Sequence, residues 1–247
     1  MMKTLKTLMS LVVLMAAFSC AKSPSVSDGY ITFALNADEV VAEVTTKSSP
    51  LTDYTSLPSA ANFVLEITDG TKVVWNGLVS EWDPTTKWNV GEYTVKATYG
   101  DLEDEGFEKP YFEGTQTFTV KKGETTEVKI NVALGSTIIK IDCTSTFKAY
   151  YPDYTFKLVR GAAEIATFTK TETRGAFIDG YKVTLTGEVT NEVGKTKSFS
   201  LPDYTSLKPN TAYTITLDVS SVGSSAVSVT FNNTVEDTPL YDVELND

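Results

Sequence analysis

From Gly29 onward the chain alternates apolar and polar residues with a period of two. Tyr93, Val95, Ala97 and Tyr99 fall on one face, and Glu92, Thr94, Lys96 and Thr98 on the other. Val128, Ile130 and Val132 alternate with Glu127, Lys129 and Asn131; Tyr213, Ile215, Leu217 and Val219 alternate with Thr214, Thr216 and Asp218. Successive side chains of a strand point to opposite faces, so this pattern predicts strands with one buried and one wet face. Phe63, Leu65 and Ile67 lead through Asp69-Gly70 into residues 72–75, a hairpin signal because Asp-Gly accepts the positive φ of a tight turn. Lys121-Lys122-Gly123-Glu124 predicts a second hairpin, between residues 115–120 and 125–133. No stretch of about twelve residues after position 28 carries a helical period.

The expected strands are 29–35, 40–45, 63–69, 72–77, 91–99, 115–120 and 125–133, then 136–142, 153–159, 164–169, 181–189, 195–200, 212–219, 226–231 and 239–245. Seven or eight short strands per roughly 105–115 residues is the requirement of a sandwich of two antiparallel sheets. The fold class is therefore all-β, with two tandem antiparallel β-sandwich domains at 29–134 and 135–247. No linker separates them at Leu134-Gly135, which predicts lobes in fixed contact. Residues 45–61 form the longest stretch without a strand signal, and such loops are usually functional or mobile. Asp53-Tyr54-Thr55-Ser56-Leu57 recurs as Asp203-Tyr204-Thr205-Ser206-Leu207 and is echoed by Asp153-Tyr154-Thr155. The contexts differ, so shared turn chemistry or coincidence is preferred to duplication.

The N-terminus has a different grammar. Lys3 and Lys6 precede an apolar run from Leu8 to Phe18, and Ala17-Phe18-Ser19-Cys20 follows. That is the layout of a secretory signal, residues 1–19, and the run is too short for the roughly 20 residues of a membrane span. A cysteine directly after the small-residue site resembles a bacterial lipobox, with Cys20 as a lipidated mature N-terminus. Residues 20–28 then comprise this cysteine and a polar tether. Soluble secretion is the alternative, because Ala-x-Ser also suits ordinary cleavage. Each buried methylene contributes roughly 0.8 kcal/mol, so a cysteine carrying two or more acyl chains would stay attached.

Composition narrows the chemistry. The chain has no histidine, which removes histidine-based triads, histidine zinc sites and the usual neutral-pH proton shuttle. With 21 basic and 32 acidic residues it carries a net charge of −11, unsuited to a nucleic-acid backbone. Cys143, the only other cysteine, has no partner once Cys20 is acylated and reads as a small buried hydrophobe. Phosphate-cradling glycine loops and cysteine metal spacings are absent, and no acidic pair is marked for glycoside hydrolysis. No enzyme activity and no cofactor are expected.

Three segments remain as candidate sites. Asp101, Glu103 and Glu105, with Asp104 between them and Gly106 after, resemble the start of a calcium loop. Phe112 stands where the bidentate acid is needed, so a solvated acidic connection is preferred. Trp75, Trp82 and Trp88 fall close together; core packing is preferred for Trp75, whereas Trp82, between Glu81 and Asp83-Pro84, is the candidate for stacking on a sugar ring. Tyr111 and Phe112, in Pro110-Tyr111-Phe112-Glu113-Gly114, are either ligand contacts or rings capping the sandwich, with Gly114 allowing an unusual backbone angle.

Several segments together resemble the Bacteroidales lipoproteins of domain of unknown function 4493. They are Val90-Gly91-Glu92-Tyr93-Thr94-Val95, Pro110-Tyr111-Phe112-Glu113-Gly114, Thr117-Phe118-Thr119-Val120, Phe147-Lys148-Ala149-Tyr150, Thr173-Arg174, Ala212-Tyr213-Thr214-Ile215 and Val235-Glu236-Asp237. The resemblance spans about Gly29 to the end. It implies an envelope lipoprotein with tandem immunoglobulin-like or fimbrillin-like sandwiches, and no assigned activity. A looser similarity to fimbrillin-type pilus subunits lies in residues 29–46 followed by Lys47, which would be a proteolytic processing site; Lys stands there where Arg is commoner, and an ordinary loop lysine is preferred. The resulting expectation is a non-enzymatic outer-membrane lipoprotein presenting an interaction surface. Its partners would be membrane lipid through Cys20 and an envelope protein or glycan, with no nucleic acid. The rivals are a pilus or adhesin subunit assembling by strand addition and a glycan-binding module for carbohydrate uptake. The periplasmic and cell-surface faces both stay open, since Ala21-Lys22-Ser23 follows Cys20 and the first acid is Asp28.

Overall fold

A computed structural model describes residues 27–37, 40–43, 48–219, 226–231 and 241–244. Cys20, the tether as far as Val26, and Lys47 lie outside the described residues. The first strands are β1 (Asp28–Ala37), β2 (Val40–Glu43), β3 (Ser48–Pro50), β4 (Val64–Asp69), β5 (Lys72–Leu78), β6 (Trp88–Asn89), β7 (Gly91–Tyr99), β8 (Gly106–Phe107), β9 (Phe112–Val120) and β10 (Thr125–Leu134). After them come β11 (Thr137–Cys143), a one-turn-plus helix α1 (Ser145–Tyr150), β12 (Asp153–Arg160), β13 (Ala163–Thr169), β14 (Ala176–Ile178), β15 (Thr184–Thr190), β16 (Thr196–Ser200), β17 (Thr211–Val219), β18 (Ala226–Phe231) and β19 (Tyr241–Glu244). Thr144 caps α1 by accepting from the Phe147 amide at 3.1 Å, and the helix stops after six residues. No helix among the described residues is long and apolar enough to cross a membrane.

The protein is all-β and two-lobed. In the first lobe one sheet path runs β5-β4-β7-β9-β10-β1-β6. β9 pairs with β7 along its whole length, whereas β10 meets β9 only at Leu134↔Phe112 and Ala133↔Glu113 and then runs beside β1. The path therefore folds over into two layers. Phe33 of β1 meets Phe118 of β9 across them, ring centroids 6.1 Å apart. Leu65, Ile67, Val95, Phe112, Val120, Ile130 and Ile31 fill the space between and are inaccessible to solvent. Full burial of such side chains contributes about 1.5–3 kcal/mol each. In the second lobe, β13-β12-β15-β16 packs on the β18-β17-β11-β14 sheet through Phe156, Leu158, Phe168, Leu185, Ile215 and Leu217.

Several expectations are corrected. Residues 121–124 form a turn, with Gly123 at φ +71°, but β9 and β10 splay apart after it instead of making a hairpin ladder. Each lobe also has a parallel ladder that the antiparallel expectation did not contain: β1 beside β10, and β11 beside β17. Parallel neighbours need a long crossover, and here the rest of the lobe supplies it. Residues 48–61 are not structureless. β3 is followed by 3-10 turns at Leu51–Asp53 and Ala60–Asn62; Leu51 is fully buried, and Tyr54 and Leu57 pack on the first core. The second pentapeptide acts alike, with Tyr204 and Leu207 buried in the second core.

The chain does not part cleanly at Leu134-Gly135. β2 adds to β17 in parallel, and β8 adds to β14, so strands from the N-terminal half complete the second lobe's sheet. At that junction the sheet is buried on both faces. Ile138, Phe177 and Ala212 point into the first core, while their neighbours Ile139, Ala176, Ile178 and Tyr213 point into the second. Two-sided burial erases alternation, and for that reason the pattern predicted no strand at β14.

Candidate functional site

The acidic segment 101–109 does not gather its carboxylates around a cation. Asp101 accepts from the Glu103 amide at 2.9 Å, and Asp104 pairs with Lys109. Glu105 turns away from both and crosses to the second lobe. Its carboxylate accepts from Arg160 Nη1 at 2.5 Å, Arg160 Nη2 at 2.9 Å and the Asp179 amide at 2.8 Å. Gly106, at φ +130°, lets the backbone pass beneath the Ile165 carbonyl and deliver Phe107 edge-on to Phe168, centroids 5.0 Å apart. Arg174 then closes the junction: it lies 4.8 Å over the Phe107 ring and pairs with Glu108 at 3.0 Å and Glu172 at 2.8 Å. These contacts hold the Glu172 carboxyl down at about 2. Among the described residues no group of three or more His, Cys, Asp or Glu side chains is placed to hold a metal. The candidate calcium loop is thus a strap between lobes.

Phe112 is fully buried between the Phe63 and Tyr99 rings, so it meets no ligand at the surface. Tyr111 is half-buried; its ring lies on Gly135 and its hydroxyl donates to Glu113 at 3.1 Å. Burial, and then Glu113, push the Tyr111 phenol above its ordinary range. Gly114 does not adopt a positive φ. It is instead the place where β9 passes so close to β10 that an added Cβ would overlap the Asn131 carbonyl oxygen. Trp82 is half-buried, with its indole N–H donated to the Ile31 carbonyl at 3.2 Å. Phe33 and Trp75 meet its ring edge-on at 4.8 and 4.9 Å, and Trp88 lies at 5.6 Å. The three tryptophans form one cluster over β1.

A concave surface lies elsewhere, on the outer face of the four-stranded sheet. Two cross-strand rows, Lys157–Thr186–Ser200 and Thr155–Glu188–Ser198, line an open groove of about 750 Å³. Alternation explains the row: Phe156, Leu158, Leu185 and Val189 of the same strands point into the core, so every second residue is left outside. Lys157 also pairs with Glu164 at 2.8 Å, which raises the amine and lowers the carboxyl.

Thr186 and Ser200 continue into a second open cleft of about 640 Å³ at the end of the sheet. Asp203 is fixed on its rim, with Oδ2 2.6 Å from Lys182 Nζ and Oδ1 accepting from the Thr184 hydroxyl. Lys182 and then Thr184 lower the Asp203 carboxyl, while Asp203 raises the Lys182 amine. The same cleft is lined by Tyr181, with 69% of its surface exposed. Sequence reasoning did not find this residue. The expected strand 181–189 would give Tyr181 the parity of Val183 and Leu185, both fully buried. The strand instead begins at Thr184, after a turn in which the Tyr181 amide donates to Asp179 Oδ1 at 2.5 Å, and the ring swings out. The one available signal was Asp179-Gly180, a turn dipeptide directly before the aromatic.

The family model described as Domain of unknown function (DUF4493) matches residues 27–247, and the chain belongs to that family. No curated protein matches it. Among solved structures, a proposed cell adhesion protein from Bacteroides eggerthii aligns over 88% of this chain and 97% of its own, at 10% identity and a TM-score of 0.47. A proposed polysaccharide-binding protein from Bacteroides thetaiotaomicron aligns over 81% and 95%, at 10% identity and a TM-score of 0.43. A proposed adhesin from the same organism covers 91% and 100%, at 9% identity and a TM-score of 0.43.

Proposed function

We propose that this DUF4493 protein is a non-enzymatic outer-membrane lipoprotein, held by lipid on Cys20, whose joined lobes present the polar outer face of β12, β15 and β16 to a ligand in or outside the envelope. The observation that carries this reading is the pair of contiguous open clefts on that face, backed by a sheet whose other side is core. Three carboxylates there and at the lobe junction are shifted away from what a general acid needs. Glu164, Glu172 and Asp203 are all shifted downward by Lys157, Arg174 and Lys182. A glycosidase needs one carboxyl raised so that it can donate a proton near neutral pH. The interlobe strap and the shared sheet tie the lobes together, which suits a platform that transmits load between ligand and anchor.

The test is palmitate labelling with envelope fractionation and protease accessibility on intact cells. Wild type should carry label and sediment with the outer membrane, and Cys20→Ala should lose both. A Cys20→Ala chain that still sediments with membranes rejects the anchor. A second reading, assembly by strand addition, is favoured by one observation. β1 is an N-terminal strand paired with β10 from Tyr30 to Ala37 but with β6 only at Asp28 and Gly29. Cleavage at Lys47 would release it and open the β10 edge to a neighbour's strand. Trypsin-nicked protein that stays monomeric by size exclusion and electron microscopy rejects that reading.

A further inference from the structure

The second cleft joins an exposed aromatic ring to a set of polar side chains. Tyr181 offers an exposed aromatic face, and Asp203, Lys182, Thr184 and Ser200, which line the same cleft, offer acceptors and donors. We propose that this cleft is a binding subsite for a neutral pyranose oligosaccharide, with the Tyr181 ring as stacking platform and the Asp203 carboxylate as the acceptor for sugar hydroxyls. The inference rests on the binding role proposed above and names its ligand class.

Three features carry it. First, a pyranose has an apolar C–H face and a rim of hydroxyls that both donate and accept, so its complement is an aromatic plate beside mixed polar groups. Tyr181 is such a plate, and its neighbours supply both hydrogen-bonding senses. Second, the polar groups are held before any ligand arrives. Lys182 and Thr184 grip both oxygens of Asp203, and below them Arg160 donates to the Lys182 carbonyl at 3.2 Å while Glu105 pins its other nitrogens. Groups already ordered lose little entropy on binding. Lys182 uses one N–H on Asp203, and its side chain stays 53% exposed, free to donate again. Third, the local cations are matched: Arg160 by Glu105 and Lys182 by Asp203, in a chain of net charge −11. Both cations that line the cleft already face a carboxylate, which favours a neutral sugar over a sulfate, uronate or sialate.

The experiment is a glycan array probed with the full chain in detergent micelles. The array carries neutral glucans, mannans, galactans and chitooligosaccharides beside sialylated and sulfated sets. Wild type should retain a neutral oligosaccharide. Tyr181→Ala should bind it about tenfold more weakly or worse, as truncation of an aromatic anchor does, whereas Tyr181→Phe should keep it. Asp203→Asn should weaken the same ligand. Tyr181 is exposed enough that its variants should keep the wild-type thermal midpoint, and Asp203→Asn should lower it by no more than the small contribution of an exposed ion pair. Retention of no neutral glycan, retention of acidic glycans alone, or undiminished binding by Tyr181→Ala each overturns the proposal. Because the readout is in detergent and independent of Cys20, such a failure leaves the anchoring reading standing, and loss of anchoring leaves this subsite standing.

Discussion

Glu105→Ala tests whether the lobes are clamped through the acidic strap. The Glu105 side chain is 10% exposed, and its carboxylate accepts from both Arg160 terminal nitrogens and the Asp179 amide. Removing one partner of a fully buried pair costs about 3–5 kcal/mol, because the other charge is stranded. Arg160 would be stranded only in part. It keeps 29% of its side-chain surface in solvent, and Asp179 Oδ1 lies 3.6 Å from its Nη2. Solvent and this second carboxylate reduce the cost, so about 2–3 kcal/mol is expected. For a body of this size that lowers the thermal midpoint by about 4–12 °C, at roughly 2–4 °C per kcal/mol. Calorimetry of Glu105→Ala, Arg160→Met and the double variant completes the cycle. The double variant should be less destabilised than the sum of the singles, since removing both charges strands neither. A loss below about 0.5 kcal/mol in Glu105→Ala, or strict additivity, would refute the clamp. So would a wild-type midpoint that rises with millimolar calcium and stops rising in Glu105→Ala, which would restore the calcium loop.

Three further outcomes are expected. Gly114→Ala should cost about 3 kcal/mol, because the new methyl meets the Asn131 backbone carbonyl and not a movable side chain; a change within the noise of urea denaturation would show that β9 and β10 can part there. The Glu172 carboxyl is held at about 2, below its ordinary 4.5, so its stabilising contribution is complete above pH 4.5 and disappears as pH falls through 2. Acid titration of stability should therefore be shallower over that window in Arg174→Ala, and an unchanged slope would count against the pairing. Burial pushes the Cys143 thiol up to about 11, so Ellman's reagent at pH 8 should leave it unmodified in the folded protein and react once urea unfolds the chain. Rapid labelling of native protein would contradict the burial.

What the sequence determined by itself was the local part. Strands such as β7, β10 and β12 have one wet face, so period-two alternation marks them, and Asp69-Gly70 marks the turn that joins β4 to β5. Tertiary structure alone decided the rest. β14 carries no alternation because both its faces are buried, and β8 is two residues long, so neither could announce itself locally. Acidity made residues 101–109 look like a solvated or metal-binding loop; only the position of Arg160, 55 residues further on, turned Glu105 into a clamp. Trp82 and Tyr181 make the same point from opposite sides. Polar neighbours in sequence put Trp82 at the surface, yet Phe33, Trp75 and Trp88 pack on it and leave it half-buried, while strand parity buried Tyr181 and a turn freed it. Exposure is a property of what packs on a residue, and packing partners in an all-β chain are distant in sequence.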